Sequence, residues 1–74
     1  MVVAYVLMIV EMGKEHEAAQ AVSKIDGIEE VAITYGSWDM VIKVVADSLP
    51  ILDHTITKLR QLSFIKQTAT LVGK

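Results

Sequence analysis

The sequence predicts an α+β fold in which four strands and two helices follow one another in the order βαββαβ. Four runs of β-branched and aliphatic residues have the length of strands, and two segments between them repeat apolar residues at helical spacing. Glycines and other turn-forming residues separate the segments. This order is typical of the ferredoxin-like arrangement, in which both helices cover one face of a four-stranded antiparallel sheet. We expect residues 1–74 to form a single domain.

The first strand is predicted over residues 2–10, a run rich in β-branched side chains. Both faces of this run are apolar: Val3, Tyr5, Leu7 and Ile9 alternate with Val2, Ala4, Val6, Met8 and Val10. The run is too short to span a bilayer and has no positively charged residues before it, so we expect no association with membranes. A strand without a polar side is expected to be buried on both faces.

The first helix is predicted over residues 14–25. Its apolar residues recur at helical spacing: Ala18, Ala19, Val22 and Ile25. Glu15 and Glu17 lie in the first turn, where the helix dipole stabilises acidic side chains. Gly27 is expected to end this helical segment, because glycine adopts the positive φ that helix C-termini favour.

Two further strands, over residues 28–34 and 40–45, are predicted on either side of a turn. A second helix then follows an N-cap at Asp47 or Ser48. Its predicted apolar stripe consists of Leu49, Leu52, Ile56, Leu59 and Leu62. Residues 65–72 are predicted to form the last strand.

The composition predicts self-association. Apolar residues make up 53% of the chain and charged residues 22%, which is more apolar surface than a small monomer can bury. If both helices cover one sheet face, the second apolar side of the first strand remains exposed on the other. We therefore expect a homo-oligomer in which the sheets of two subunits pair face to face in a dimer.

Several classes of function are disfavoured by the sequence. The net charge is −2 and the seven basic residues are scattered, which argues against direct binding of nucleic acid. The chain has no cysteine, so it has no disulfide or thiolate metal site, and the cytoplasm is the simplest compartment. His16 and His54 each adjoin an acidic residue, but not at the i, i+4 spacing of a metal-binding pair. Since no catalytic motif or phosphate-binding loop is present either, we expect no enzyme, metal or cofactor.

The turn between the second and third strands is the best candidate for a site. It consists of Tyr35, Gly36, Ser37, Trp38 and Asp39. Gly36 can adopt a positive φ, and Ser37 and Asp39 can hydrogen-bond to nearby backbone. A carboxylate on a rigid hairpin beside exposed N–H groups offers an acceptor for an ammonium group and donors for a carboxylate. The structural alternative is a hairpin in which Asp39 only binds backbone and Trp38 only packs.

Residues 36–44, GSWDMVIKV, resemble the Gly-x-aromatic-Asp hairpin of the effector-binding domain of Lrp/AsnC regulators, called the RAM domain. The similarity continues, in order, through AYVL at residues 4–7, GK at 13–14, GIEEV at 27–31 and TATLV at 68–72. RAM domains dimerise through their sheets, and the dimers assemble into rings, commonly octamers. Amino-acid effectors bind between dimers, near the hairpin.

The resemblance implies specific roles for individual residues. Asp39 is expected to bind the ammonium group of an amino acid, and the backbone of Gly36 and Ser37 its carboxylate. Thr68 and Thr70 share one face of the last strand, and the equivalent strand of RAM domains forms a wall of the effector cleft. Alternating threonines are also common in edge strands without any such role.

The sequence therefore predicts a non-enzymatic module that binds an amino acid, self-assembles, and acts in transcriptional or metabolic regulation. We expect no DNA-reading helix-turn-helix, because the chain starts at its first strand, so regulation would proceed through co-assembly with full-length Lrp/AsnC regulators. Two alternatives remain open: a small dimeric enzyme of the ferredoxin-like barrel type, and an ACT-like sensor subunit that acts in trans. The barrel enzyme would need polar groups pointing into the interface between the sheets.

Overall fold

A computed structural model describes all 74 residues, and its elements follow the predicted order βαββαβ. They are β1 (Val2–Val10), α1 (Glu15–Ser23), β2 (Ile28–Ile33), β3 (Met40–Ala46), α2 (Leu49–Arg60) and β4 (Ile65–Val72). Helix α1 is shorter than predicted, because the N–H groups of Lys24 and Ile25 donate to carbonyls only three residues earlier. This tighter 3₁₀-type turn ends the α-helix before Gly27, which has a φ of +94°.

The four strands form one antiparallel sheet in the order β2-β3-β1-β4, which confirms the ferredoxin-like prediction. Strand β1 is central, with Val6 opposite both Ile42 of β3 and Thr70 of β4. Because β1 and β2 are each antiparallel to β3, they run in the same direction. The loop after β1 and the hairpin after β2 therefore lie at the same end of the sheet.

The core lies between one face of the sheet and the two helices. Its buried side chains are Ala4, Val6, Met8 and Val10 from β1, Met40, Ile42, Val44 and Ala46 from β3, Ala18 and Val22 from α1, and Leu52 and Leu59 from α2. The even-numbered residues of β1 therefore face the helices. Neither helix is long and apolar enough to cross a membrane.

Helix α2 begins after Ser48, whose Oγ accepts a hydrogen bond from the Ile51 N–H at 3.4 Å, so Ser48 rather than Asp47 is the N-cap. The predicted stripe is correct at Leu52 and Leu59 but wrong at Leu49, which is 61% exposed. Leu49 is the first residue of α2, and at this end of the helix the stripe is not covered. Thr55 is buried instead, and its hydroxyl donates to the Ile51 carbonyl at 3.2 Å.

The opposite face of the sheet has no helix. Strand register and alternation place on it Val3, Tyr5, Leu7 and Ile9 of β1, Val41, Lys43 and Val45 of β3, and Ala69 and Leu71 of β4. Tyr5 is 41% and Leu71 58% exposed. Lys43 pairs with Glu29 at 3.4 Å toward the β2 edge. We call this mainly apolar surface the open face.

Candidate functional site

The hairpin between β2 and β3 is closed by Thr34. Its backbone N–H donates to the Asp39 carbonyl at 2.8 Å, and its hydroxyl donates to the Trp38 carbonyl at 2.7 Å. Gly36 has a φ of +106°, so the predicted positive φ at this turn is confirmed. A Cβ at Gly36 would have no atom within 4 Å, so it is the backbone conformation rather than space that favours glycine there.

Asp39 connects the hairpin to the central strand. Its N–H donates to the Met8 carbonyl at 2.8 Å, and its Oδ2 accepts from the Val10 N–H at 2.8 Å. Regular pairing of β1 with β3 stops at Met8 and Met40, so the carboxylate replaces a strand carbonyl for Val10. Oδ2 therefore has a structural role, whereas Oδ1 has no hydrogen-bond partner in the chain.

Four consecutive N–H groups in the hairpin have no acceptor within the chain. They belong to Tyr35, Gly36, Ser37 and Trp38. Successive free N–H groups next to a residue with positive φ can bind anions such as carboxylates. The hairpin therefore presents hydrogen-bond donors and a carboxylate acceptor within one short segment.

A depression of about 390 Å³ lies beside the hairpin. It is lined by Glu15, His16, Ile33, Thr34, Tyr35, Gly36 and Asp39, and we call it the hairpin depression. Of the predicted site residues in the turn, Tyr35, Gly36 and Asp39 line it. Trp38 is half-buried and Ser37 exposed, and neither residue lines it.

Thr68 and Thr70 lie away from this depression. Thr68 pairs with Met8 across the other edge of β1, so the central strand separates it from the hairpin of the same chain. It lines a second depression of about 370 Å³, together with Arg60, Ile65, Lys66 and Gln67. Thr70 lines neither. Within one chain, the structure does not bring the two threonines to the hairpin.

Sequence reasoning missed four residues that line the hairpin depression: Glu15, His16, Ile33 and Thr34. Ile33 and Thr34 adjoin the candidate turn directly. Glu15 and His16 come from the start of α1, which lies near the hairpin because β1 and β2 end at the same edge of the sheet. The predicted topology already contained this signal, whereas Glu15 was assigned only a helix-dipole role and His16 only a possible metal role.

The lining of the hairpin depression is acidic. It contains the carboxylates of Glu15 and Asp39 and no lysine or arginine. Lys14, which precedes Glu15, pairs with Glu17 at 3.5 Å. No three His, Cys, Asp or Glu side chains in the chain are close enough together to hold a metal ion. The depression offers two carboxylates and the His16 imidazole for hydrogen bonding and ion pairing.

Comparison with known families gives one match over almost the whole chain. The model of the Lrp/AsnC ligand binding domain matches residues 3–72. Among curated relatives, an uncharacterized HTH-type transcriptional regulator of Pyrococcus furiosus is 37% identical over 60 residues, and one of Pyrococcus horikoshii is 34% identical over 60 residues. The matched segment is 80% of this chain and 40% of each regulator, so the chain spans about two fifths of these relatives.

Solved structures agree with this match. The protein FFRP-DM1 is 35% identical with a TM-score of 0.96, and the match covers 100% of both chains. A hypothetical protein from Pyrococcus horikoshii is 35% identical with a TM-score of 0.95, over 100% of this chain and 90% of that one. AsnC of E. coli is 26% identical with a TM-score of 0.88, over 97% of this chain and 50% of that chain.

Proposed function

Since the chain belongs to the Lrp/AsnC ligand-binding domain family, we propose that it binds an amino acid or a related small molecule and assembles with copies of itself. The family resemblance predicted from the hairpin is thereby confirmed. The family consists of regulatory ligand-binding domains of transcriptional regulators. We propose the same kind of role here, in transcriptional or metabolic regulation and without catalysis.

The observation that carries this proposal is the hairpin itself. A free amino acid needs an acceptor for its ammonium group and donors for its carboxylate. Asp39 supplies an oxygen without a partner, and the N–H groups of residues 35–38 supply free donors. We assign the ammonium to Asp39 and the carboxylate to the N–H groups of Gly36 and Ser37. Tyr35 then forms a wall of the hairpin depression.

The site we propose lies at a contact between subunits. The hairpin depression is open to solvent, and the side chain of Tyr35 is fully exposed. Thr68 and Thr70 can contribute to a bound ligand only from another subunit, because β1 separates them from the hairpin in their own chain. A partner subunit would both cover Tyr35 and complete the cleft.

Assembly in this proposal begins at the open face. Its apolar side chains are expected to pack against the same face of a second copy, and the resulting dimers to form an octamer or a similar ring. The family relationship also makes co-assembly with full-length Lrp/AsnC regulators the expected route to DNA, since the net charge of −2 disfavours direct contact. We therefore propose that the protein acts in the cytoplasm.

The open face also bears on the enzyme alternative. Its polar side chains Tyr5, Glu30 and Lys43 surround a cavity of only about 70 Å³. The rest of this face is mainly apolar, with Val3, Leu7 and Ile9 on its central strand. The face as a whole therefore favours subunit contact over a catalytic pocket between two sheets.

The proposal is tested by a thermal-shift screen of the purified chain against amino acids and their metabolites, with light scattering to follow assembly. A ligand that binds only the native assembly raises its unfolding temperature by mass action. Asp39→Asn should lower the affinity of each responsive ligand by about 1.5 to 3 kcal/mol, because a charge-assisted hydrogen bond is lost. Asp53→Asn, an exposed change on α2 outside the depression, is the matched control. Unchanged affinity in Asp39→Asn would show that Asp39 is only a turn residue.

A further inference from the structure

We infer that the hairpin depression selects amino acids with a positively charged side chain, and that Glu15 is the residue that sets this preference. The inference rests on the proposed function, because it names the class of ligand for the site described above. Its starting point is that two elements each contribute a carboxylate to one depression: the hairpin contributes Asp39 and α1 contributes Glu15.

The charges in the hairpin depression do not match a neutral amino acid. The α-ammonium group of such a ligand is accounted for by Asp39, and its α-carboxylate by the free N–H groups of the hairpin. Glu15 then remains as a second carboxylate, and the only basic side chain that the same chain places in the lining is the His16 imidazole. A ligand whose side chain carries an ammonium or guanidinium group provides the missing positive charge.

Glu15 is held in place differently from its neighbour Glu17. Glu15 is half-buried, and its Oε1 accepts from the Gly13 N–H at 3.4 Å, while Oε2 has no partner in the chain. Glu17 is exposed, pairs with Lys14 at 3.5 Å and does not line the depression. Two glutamates two residues apart on the same helix therefore differ in whether their charge is available to a ligand.

Desolvation explains why a positively charged ligand side chain should be preferred over an aliphatic one. A ligand that fills the depression removes water from Glu15, which is unfavourable unless the ligand replaces the lost hydrogen bonds. An aliphatic side chain offers no replacement, whereas an ammonium group offers a charge-assisted hydrogen bond. Ile33, which is 46% exposed in the same lining, gives the methylene groups of a lysine-type side chain an apolar surface.

Calorimetric titration of the full chain with lysine, ornithine and norleucine tests the inference. Norleucine has an aliphatic side chain of similar length to lysine but lacks the terminal charge. We expect lysine or ornithine to bind about ten- to a hundredfold more tightly than norleucine, the range for one charge-assisted hydrogen bond. Equal or tighter binding of norleucine overturns the inference but leaves the proposed site intact. If none of the three binds, the inference fails, whereas the proposed function fails only if no amino acid or metabolite in the thermal-shift screen binds either.

Single-residue variants then test whether Glu15 sets the preference for lysine over norleucine. Glu15→Gln should bring lysine affinity close to that of norleucine and leave norleucine affinity nearly unchanged. Glu17→Gln is the matched control and should keep the full preference. Asp39→Asn should weaken both ligands together, because both carry the same α-ammonium group. If Glu15→Gln retains the wild-type ratio of affinities, Glu15 is not the residue that sets the preference.

Discussion

The Asp39 carboxylate accepts a hydrogen bond from the Val10 N–H at 2.8 Å, although 29 residues separate the two in the sequence. Val10 is buried, and no carbonyl of β3 is opposite its N–H, because regular β1–β3 pairing ends at Met8 and Met40. The bond thus attaches the hairpin to the central strand. It also fixes Asp39 with one oxygen bound to the fold and the other free.

The stability of the fold should depend on the acceptor at position 39 more than on its charge. Asp39→Ala leaves the Val10 N–H without a partner, and the free energy of unfolding should fall by about 1 to 3 kcal/mol. Asp39→Asn keeps a side-chain oxygen that can accept this bond, so the loss should be smaller. Urea denaturation at one fixed protein concentration measures both variants. A midpoint for Asp39→Ala equal to that of the wild type would mean that the bond contributes nothing.

The two faces of β1 should respond differently to a buried charge. Val6 is fully buried against the helices, whereas Leu7 lies on the open face opposite Val41 and Ala69. Val6→Asp should therefore abolish folding, as measured by circular dichroism, because it places an unpaired carboxylate in the core. Leu7→Asp should mainly weaken subunit association and lower the mass measured by equilibrium sedimentation.

Leu7→Ala controls for the loss of the side chain without an added charge. Its effect on mass should be smaller than that of Leu7→Asp. A well-folded wild-type monomer at micromolar concentration would contradict the argument that the open face must be covered.

Most of the fold could be predicted because its signals are local. The β-branched and aliphatic runs of β1 and β3 and the helical spacing in α1 each depend on a few adjacent residues. The orientation of β1 could not be predicted, because Val6 and Leu7 belong to two sets that are equally apolar. Only packing against α1 and α2 decides that Val6 faces the core. Leu49 was misplaced because periodicity identifies the face of a helix but does not show over what length that face is covered.

The candidate site could be predicted only in part. Gly36 and Asp39 follow from the chemistry of the turn, which is local. The contribution of Glu15 depends on α1 starting beside the hairpin, and the position of Thr68 depends on the register of β4. The bond between Asp39 and Val10 likewise depends on where β3 stops pairing with β1. The register of β4 and the Asp39–Val10 bond are tertiary relationships that residue types and spacings did not reveal, whereas the position of α1 near the hairpin could have been inferred from the predicted topology.

Alanine substitutions at two glycines with positive φ should distinguish the energetic cost of backbone strain from that of close packing. Gly27 has a φ of +94°, and a Cβ there would lie 3.2 Å from the Val45 carbonyl oxygen and 3.4 Å from Thr55 Oγ1. Gly36 has a φ of +106°, and a Cβ there would meet open space. Gly36→Ala should therefore cost about 1 to 3 kcal/mol of unfolding free energy through strain alone. Gly27→Ala should cost more, because the Val45 carbonyl must also move.

For ligand affinity, unlike stability, the substitution at Gly36 should have the larger effect. Gly36→Ala should weaken binding at the hairpin, because the free N–H groups depend on the conformation of the turn. Gly27 lies at the other end of the sheet, where its carbonyl accepts from the Val45 N–H at 2.8 Å, so folded Gly27→Ala should bind as the wild type does. Denaturation and calorimetric titration of both variants make the comparison. If Gly27→Ala were the less destabilised variant, or if Gly36→Ala kept full affinity, the roles assigned to these two turns would be wrong.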